Sequence, residues 1–173
     1  MKKINQINIF IVEDNKVFTI ALKANIETAF AKKNIKIHSF ETGEECMEQY
    51  IREKPQVVIL DYHLNSLSPK ATNGIRILNW IKKKNYDTNV IMLSSDDNIE
   101  IAIESFKHGA SDYVVKTETQ FHKINYSLYN IFKIIEAKSE TKNFKFAFVI
   151  VLCLFTLLVA GAITIHLLNP FLF

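Results

Sequence analysis

Short apolar runs alternate with amphipathic stretches along the first 138 residues of the chain. Five runs rich in β-branched and aromatic residues predict strands: INIFIV (7–12), IKIHSF (35–40), VVIL (57–60), VIML (90–93) and YVV (113–115). Apolar residues at helical spacing predict helices over residues 15–32, 42–54, 73–84, 97–107 and 119–138. This alternation predicts an α/β fold, with a five-stranded parallel sheet covered by helices on both faces.

The strands differ in their apolar pattern. Strands 1, 3 and 4 are continuous apolar runs, as expected for parallel strands buried on both faces, whereas strand 2 alternates like a strand near a sheet edge. In open sheets of this kind, ligands bind beyond the carboxyl ends of the strands, where the strand order reverses. In the order 2-1-3-4-5, strands 1 and 3 are neighbours about 4.8 Å apart. The residues that follow each strand are therefore the first candidates for function.

Polar side chains directly follow four of these strands. Glu13 and Asp14 follow strand 1, Asp61 follows strand 3, Ser94 follows strand 4 and Lys116 follows strand 5. Three crowded carboxylates repel one another, and Mg²⁺ compensates such charge through oxygen ligands. An aspartate can also act as a nucleophile that forms an aspartyl-phosphate, while a hydroxyl and a lysine bind phosphoryl oxygens. The pattern predicts a site that binds Mg²⁺ and accepts a phosphoryl group.

Each of these residues also has an ordinary interpretation. Acidic residues after strands commonly form turns and caps, and a lysine at a strand end is usually solvated surface. The placement of all of them at four strand ends favours the functional interpretation.

Four segments, IFIVEDN, VVILDYHL, VIMLSS and GASDYVVK, resemble the motifs of response-regulator receiver domains of two-component signalling. The resemblance covers about residues 5–138 and implies a flavodoxin-like, doubly wound sheet with the order 2-1-3-4-5. It implies that Asp61 is the phosphoacceptor. It further implies that Glu13, Asp14, Asp61 and the backbone carbonyl of His63 bind Mg²⁺.

The same resemblance implies roles for three more positions. Ser94 would be the switch hydroxyl, Tyr113 the switch aromatic and Lys116 the lysine that pairs with the phosphoryl group. His63 and Asp96 match variable positions that modulate dephosphorylation in the family. One departure is the loop over residues 62–73, which is longer than usual because Gly74 lies thirteen positions after Asp61.

The C-terminal segment has a different composition. The last charged residue is Lys145, and residues 146–168 predict a transmembrane helix, since about 20 helical residues span a hydrocarbon core of roughly 30 Å. A buried core helix is the alternative. Lysines that precede the span predict that the large domain faces the cytoplasm. Together with the resemblance, this implies a single-pass protein of the bacterial inner membrane. The expected divisions are a receiver domain (1–140), a basic juxtamembrane segment (141–145), the transmembrane helix (146–168) and a short non-cytoplasmic tail (169–173).

These features predict a membrane-anchored single-domain response regulator. Its expected partners are a histidine kinase or phosphotransfer protein, membrane lipid, and a second copy bound through the helix 4–strand 5–helix 5 face. The net charge of +3 is too small to indicate nucleic-acid binding, and no enzyme activity beyond self-catalysed phosphorylation and dephosphorylation is expected.

Two alternative functions fit part of this pattern. The first is a degenerate receiver that acts as a tail-anchored scaffold without phosphorylation. The second is a phosphatase similar to haloacid dehalogenases, which would need a second aspartate where His63 stands.

Overall fold

The computed structural model of the chain describes residues 6–64 and 73–168. It divides into two units, Met1–Tyr129 and Asn130–Phe173. The strands are β1 (Ile7–Val12), β2 (Ile35–Phe40), β3 (Val57–Asp61), β4 (Asn89–Ser94) and β5 (Asp112–Val115). The helices are α1 (Lys16–Ala29), α2 (Gly43–Glu53), α3 (Gly74–Lys84), α4 (Ile99–Lys107) and α5 (Gln120–Leu168).

The five strands form one parallel sheet in the order β2-β1-β3-β4-β5. The predicted α/β architecture and strand order are therefore confirmed. The register pairs Val12 with Leu60 across β1 and β3, and Asp61 with Leu93 across β3 and β4. These pairings bring the carboxyl ends of the three central strands to the same edge of the sheet.

The apolar character of the central strands explains their position. Every residue of β3 is buried, and on β1 and β4 all but one residue of each strand is buried. On one side of the sheet, Phe10, Val58 and Met92 pack with residues of α2 and α3. Apolar burial on both faces stabilises these strands at about 25 cal/mol per Å² of area removed from water. Because these strands are buried along their length, polar functional groups are expected at their ends.

Asparagine or threonine side chains begin the first four helices. Each accepts a hydrogen bond from a backbone N–H of the first turn, and the capping residues are Asn15, Thr42, Asn73 and Asn98. Because Asn15 directly follows Asp14, α1 begins immediately beyond the two acidic residues at the end of β1. Gly109 follows α4 with a φ of +92°, in the left-handed region that favours glycine.

Gly74 brings the start of α3 against the end of β3. A Cβ atom at this position would lie 2.6 Å from the backbone oxygen of Asp61 and 2.8 Å from the Cα of Tyr62. The backbone N–H of Gly74 also donates to the carbonyl of Tyr62 at 3.0 Å. The absence of a side chain at Gly74 therefore helps to determine where Asp61 lies.

The described residues of the C-terminal unit, 130–168, belong to α5. In the part of the chain that the structure describes, no helix combines the length and the apolar character needed to cross a membrane. The transmembrane helix predicted over residues 146–168 is thus not supported. The predicted tail (169–173) and most of the enlarged loop (65–72) lie outside the described residues.

Candidate metal centre

Three carboxylates meet at the carboxyl edge of the sheet. One oxygen from each of Glu13, Asp14 and Asp61 lies within 4.8 Å of the other two. Glu13 and Asp14 follow β1 and Asp61 ends β3, so the hydrogen-bonded pairing of these strands brings the three side chains together. Glu13 is only 2% exposed and Asp61 only 3%, whereas Asp14 is more exposed. The predicted acidic trio is therefore one physical cluster with an opening beside Asp14.

The cluster has the donor set of a Mg²⁺ site. Among the described residues, Oδ1 of Asp61 is buried without a hydrogen-bond partner. A buried carboxylate oxygen of this kind loses its hydration unless a cation or donor replaces it. Mg²⁺ binds through one or two carboxylates and retains several waters, which suits a cluster open on one side. The backbone carbonyl of His63 stays a predicted fourth ligand.

Lys116 supplies a positive charge to the same cluster. Its Nζ lies 2.7 Å from Oε2 of Glu13 and 3.2 Å from Oδ2 of Asp61. The backbone N–H of Lys116 donates to the carbonyl of Ser94 at 2.8 Å, which fixes the end of β5 beside β4. The ammonium therefore partly neutralises two of the three carboxylates and lies next to the predicted phosphoacceptor.

Burial changes the acidity of Glu13. Desolvation raises the pKa of its carboxyl above the ordinary 4.5, and the nearby charge of Asp61 acts in the same direction. The hydrogen bond from Lys116 and the backbone N–H of Asn15, which donates to Oε1 at 3.3 Å, oppose the rise in pKa. The pKa of Glu13 stays raised despite the ammonium of Lys116. A cation of higher charge would therefore stabilise the ionised carboxylate further.

Ser94 and Tyr113 are connected through Asp96. Ser94 is fully buried, and its Oγ accepts a hydrogen bond from the backbone N–H of Asp96 at 3.0 Å. The hydroxyl of Tyr113 donates to the backbone carbonyl of Asp96 at 2.9 Å. The Asp96 carboxylate in turn lies 2.8 Å from Nε2 of His63. Asp96, two positions beyond the end of β4, thus contacts His63 after β3, Ser94 at the end of β4 and Tyr113 within β5.

The predicted site residues fall into two groups of contacts. Glu13, Asp14, Asp61 and Lys116 are in direct proximity, and Ser94, Tyr113 and His63 contact Asp96.

Phe18 is not among the predicted site residues, yet its ring centroid lies 5.1 Å from Nζ of Lys116. No sequence signal identifies it, because an aromatic residue in the first turn of a helix usually indicates core packing.

Comparisons with known proteins agree with this geometry. Residues 9–125 match the family described as "Response regulator receiver domain". The regulatory protein AtoC of Escherichia coli is 28% identical over 116 residues, which are 67% of this chain and 23% of AtoC. The regulatory protein LuxO of Vibrio cholerae is 26% identical over 98 residues, which are 57% of this chain and 20% of LuxO. The chain therefore spans about a quarter or less of the length of these relatives.

Solved structures show the same fold. The BeF3-activated receiver domain of DrrB, a protein of Thermotoga maritima, aligns with a TM-score of 0.60 and 26% identity. The alignment covers 74% of this chain and 98% of the DrrB domain.

Proposed function

The chain belongs to the family of response regulator receiver domains, and from this premise we propose that Asp61 accepts a phosphoryl group in a two-component phosphorelay. Receiver domains bind Mg²⁺ at an acidic pocket and interact with histidine kinases or phosphotransfer proteins. The observation that carries the proposal is the contact of Lys116 with both Glu13 and Asp61, beside an Asp61 oxygen that has no hydrogen-bond partner in the described structure.

The proposed transfer uses Asp61 as the nucleophile. A carboxylate oxygen of Asp61 attacks the phosphorus of a phosphohistidine, the phosphorus–nitrogen bond breaks, and the imidazole nitrogen keeps the electron pair. The Lys116 ammonium is placed to bind a phosphoryl oxygen, and the hydroxyl proton of Ser94 can be donated to another. Mg²⁺ held by Glu13, Asp14 and Asp61 would supply charge neutralisation during the transfer.

After transfer, the proposed conformational switch uses Ser94 and Tyr113. In the present structure both contact the backbone of Asp96. When the Ser94 hydroxyl turns to a phosphoryl oxygen, its contact with the N–H of Asp96 weakens, and the segment that also holds the Tyr113 hydroxyl can move. Asp96 would thus carry the change at Asp61 towards β5.

Acetyl phosphate labelling tests the proposal. The full chain should gain a phosphoryl group with acetyl phosphate and Mg²⁺, and the Asp61→Asn variant should gain none, as read by intact-mass spectrometry. A matched control is Asp97→Asn, an exposed carboxylate after β4, which should label like the wild type. If the wild type neither labels nor binds Mg²⁺, the protein is instead a degenerate receiver that acts as a scaffold.

We also propose that the chain is attached to the cytoplasmic face of the bacterial inner membrane. Large apolar side chains of α5, including Phe148, Leu154 and Leu158, are exposed, and Leu158 has 73% of its surface accessible. An exposed apolar surface of this size favours contact with lipid or another apolar partner.

Vesicle flotation tests the attachment. The full chain should float with vesicles of bacterial lipids. A double variant that carries both Leu154→Lys and Leu158→Lys should float to a smaller extent. Ile20→Lys, at an exposed position of α1, is the matched control. A wild-type chain that stays at the bottom of the gradient contradicts the attachment.

Self-association through the α4–β5–α5 face is a further proposal about partners. Exposed apolar side chains lie on α4 and near the start of α5, at Ile99, Ile103, Phe106 and Tyr126. Analytical ultracentrifugation in detergent should show a dimer that Phe106→Glu weakens. Ile51→Glu, on exposed α2, should leave the dimer intact. A monomeric wild type, with and without beryllofluoride, contradicts this proposal.

A further inference from the structure

The ammonium of Lys116 has two kinds of neighbour. On one side are the carboxylates of Glu13 and Asp61, at 2.7 and 3.2 Å. On the other side is the ring of Phe18, with 5.1 Å between Nζ and the ring centroid. A cation over an aromatic face within about 6 Å is attracted by the ring quadrupole. The lysine is therefore held by two charged groups and one neutral group.

The position of Phe18 is determined by its surroundings. Phe18 lies in the first turn of α1, and its backbone N–H donates to Oδ1 of the capping Asn15 at 3.1 Å. Its ring packs against Phe121 of α5, with centroids 5.7 Å apart and an angle of 31° between the planes. The helix start and the ring contact together limit where the Phe18 ring can lie, so it offers Lys116 a fixed surface.

The three neighbours of Lys116 respond differently to a metal. A Mg²⁺ ion held by Glu13, Asp14 and Asp61 would compete for the carboxylate oxygens that the ammonium now contacts. The ring of Phe18 carries no charge and is no Mg²⁺ ligand, so its attraction for the ammonium persists when the metal is bound. Without it, a long lysine side chain that is 17% exposed could turn towards solvent.

We propose that Phe18 is a positioning residue for Lys116: its ring keeps the ammonium beside Asp61 when the carboxylates are bound to Mg²⁺. This inference rests on the proposed function, because it assigns Phe18 a part in binding the phosphoryl group through Lys116.

The first test uses NMR of the full chain in detergent. The ε-methylene protons of Lys116 should show an upfield ring-current shift, and this shift should persist when Mg²⁺ is added. Phe18→Leu should abolish the shift and Phe18→Tyr should keep it, because only tyrosine retains the ring. Loss of the shift in wild-type protein on addition of Mg²⁺ overturns the inference, whatever the fate of the proposed function.

The second test measures beryllofluoride affinity in the presence of Mg²⁺. Phe18→Leu should weaken binding by about three- to tenfold, a range expected for one cation–π contact. Phe18→Tyr should bind within about twofold of the wild type, since it keeps the same contact. Val17→Ala, at an exposed neighbouring position, is the matched control. Thermal unfolding of each variant shows whether a loss of affinity follows from a loss of folding.

The Lys116→Met background shows whether the Phe18 ring acts by holding the Lys116 ammonium or only by packing in the fold. There, Phe18→Leu should cause no further loss of affinity, since no ammonium remains to be held. An equal loss in both backgrounds overturns the inference, as does wild-type affinity in Phe18→Leu. If the wild type binds no beryllofluoride, the proposed function fails and the inference fails with it.

Discussion

The ammonium of Lys116 lies closer to Glu13 than to Asp61, at 2.7 Å against 3.2 Å. The lysine predicted to pair with a phosphoryl group therefore has a carboxylate of the acidic cluster as its nearest charged partner. Any cation that binds this cluster competes with Lys116 for the same oxygens. Under the proposed function, binding of Mg²⁺ would therefore free the lysine for the phosphoryl group.

Removal of the Lys116 ammonium should strengthen Mg²⁺ binding by the acidic cluster. We expect Lys116→Met to raise Mg²⁺ affinity by about tenfold. The free energy of this change is a fraction of the interaction energy of roughly 4 kcal/mol between unit charges 4 Å apart at an effective dielectric of 20. Isothermal titration calorimetry measures the affinity. Lys16→Met removes an exposed lysine that pairs with Glu41, so it serves as the control and should change little. Unchanged or weaker Mg²⁺ binding in Lys116→Met would show that the ammonium and the metal do not compete.

The buried carboxyl of Glu13 should give stability a defined pH dependence. Because burial raises its pKa in the folded state above 4.5, the folded protein holds this proton more tightly than the unfolded chain. The contribution of Glu13 to the free energy of unfolding therefore falls as pH rises from about 4.5 through the folded pKa. Glu13→Gln lacks this loss, so its stability relative to the wild type should increase over the same window.

Urea denaturation between pH 4 and pH 7 in EDTA measures this difference. Glu48→Gln, at an exposed position on α2, is the control. Addition of Mg²⁺ should stabilise the wild type more than Glu13→Gln at neutral pH. A difference between wild type and Glu13→Gln that does not vary with pH contradicts the assignment of the raised pKa to Glu13.

A side chain at Gly74 should disturb Asp61. The added methyl of Gly74→Ala would meet the backbone oxygen of Asp61 at 2.6 Å, so the start of α3 or the end of β3 must move. We expect a loss of about 1–3 kcal/mol in the free energy of unfolding, as for overpacked cores, together with weaker Mg²⁺ binding. Gly161→Ala is the matched control, because its Cβ would meet no atom within 4 Å. Equal stability of the two variants would show that the close approach of α3 to β3 does not require a residue without a side chain at position 74.

The hydrogen bond between His63 and Asp96 should affect the lifetime of a phosphoryl group on Asp61. Its 2.8 Å contact bridges the segments that follow β3 and β4, next to Asp61. We expect His63→Ala and Asp96→Ala each to speed hydrolysis by up to about fivefold, since exposed pairs contribute about 0.2–1 kcal/mol. The double variant should be no faster than the single ones, because the pair is already lost.

Loss of acetyl-phosphate-derived label over time measures this rate. Asp97→Asn controls for a change of charge after β4. Additive effects of the two substitutions would mean that His63 and Asp96 act separately.

The apolar pattern by itself determined the five strands, their alternation with helices and the identity of the residues at the strand ends. It could do so because strands buried on both faces require continuous apolar runs, and the first polar residue after such a run marks the strand end. The acidic trio and Lys116 followed from that placement. The C-terminal apolar stretch predicted a transmembrane helix in the same way, and the described structure does not support that span.

The contacts between these residues depended on the tertiary structure. Lys116 lies nearest to Glu13, the Phe18 ring faces the ammonium, and Asp96 joins His63, Ser94 and Tyr113. Apart from Ser94 and Asp96, these partners are far apart in the chain, and an apolar pattern records only whether a position is buried. Strand register, the start of α1 at Asn15 and the close approach at Gly74 decide which buried or strand-end groups meet, and these are properties of the packed fold.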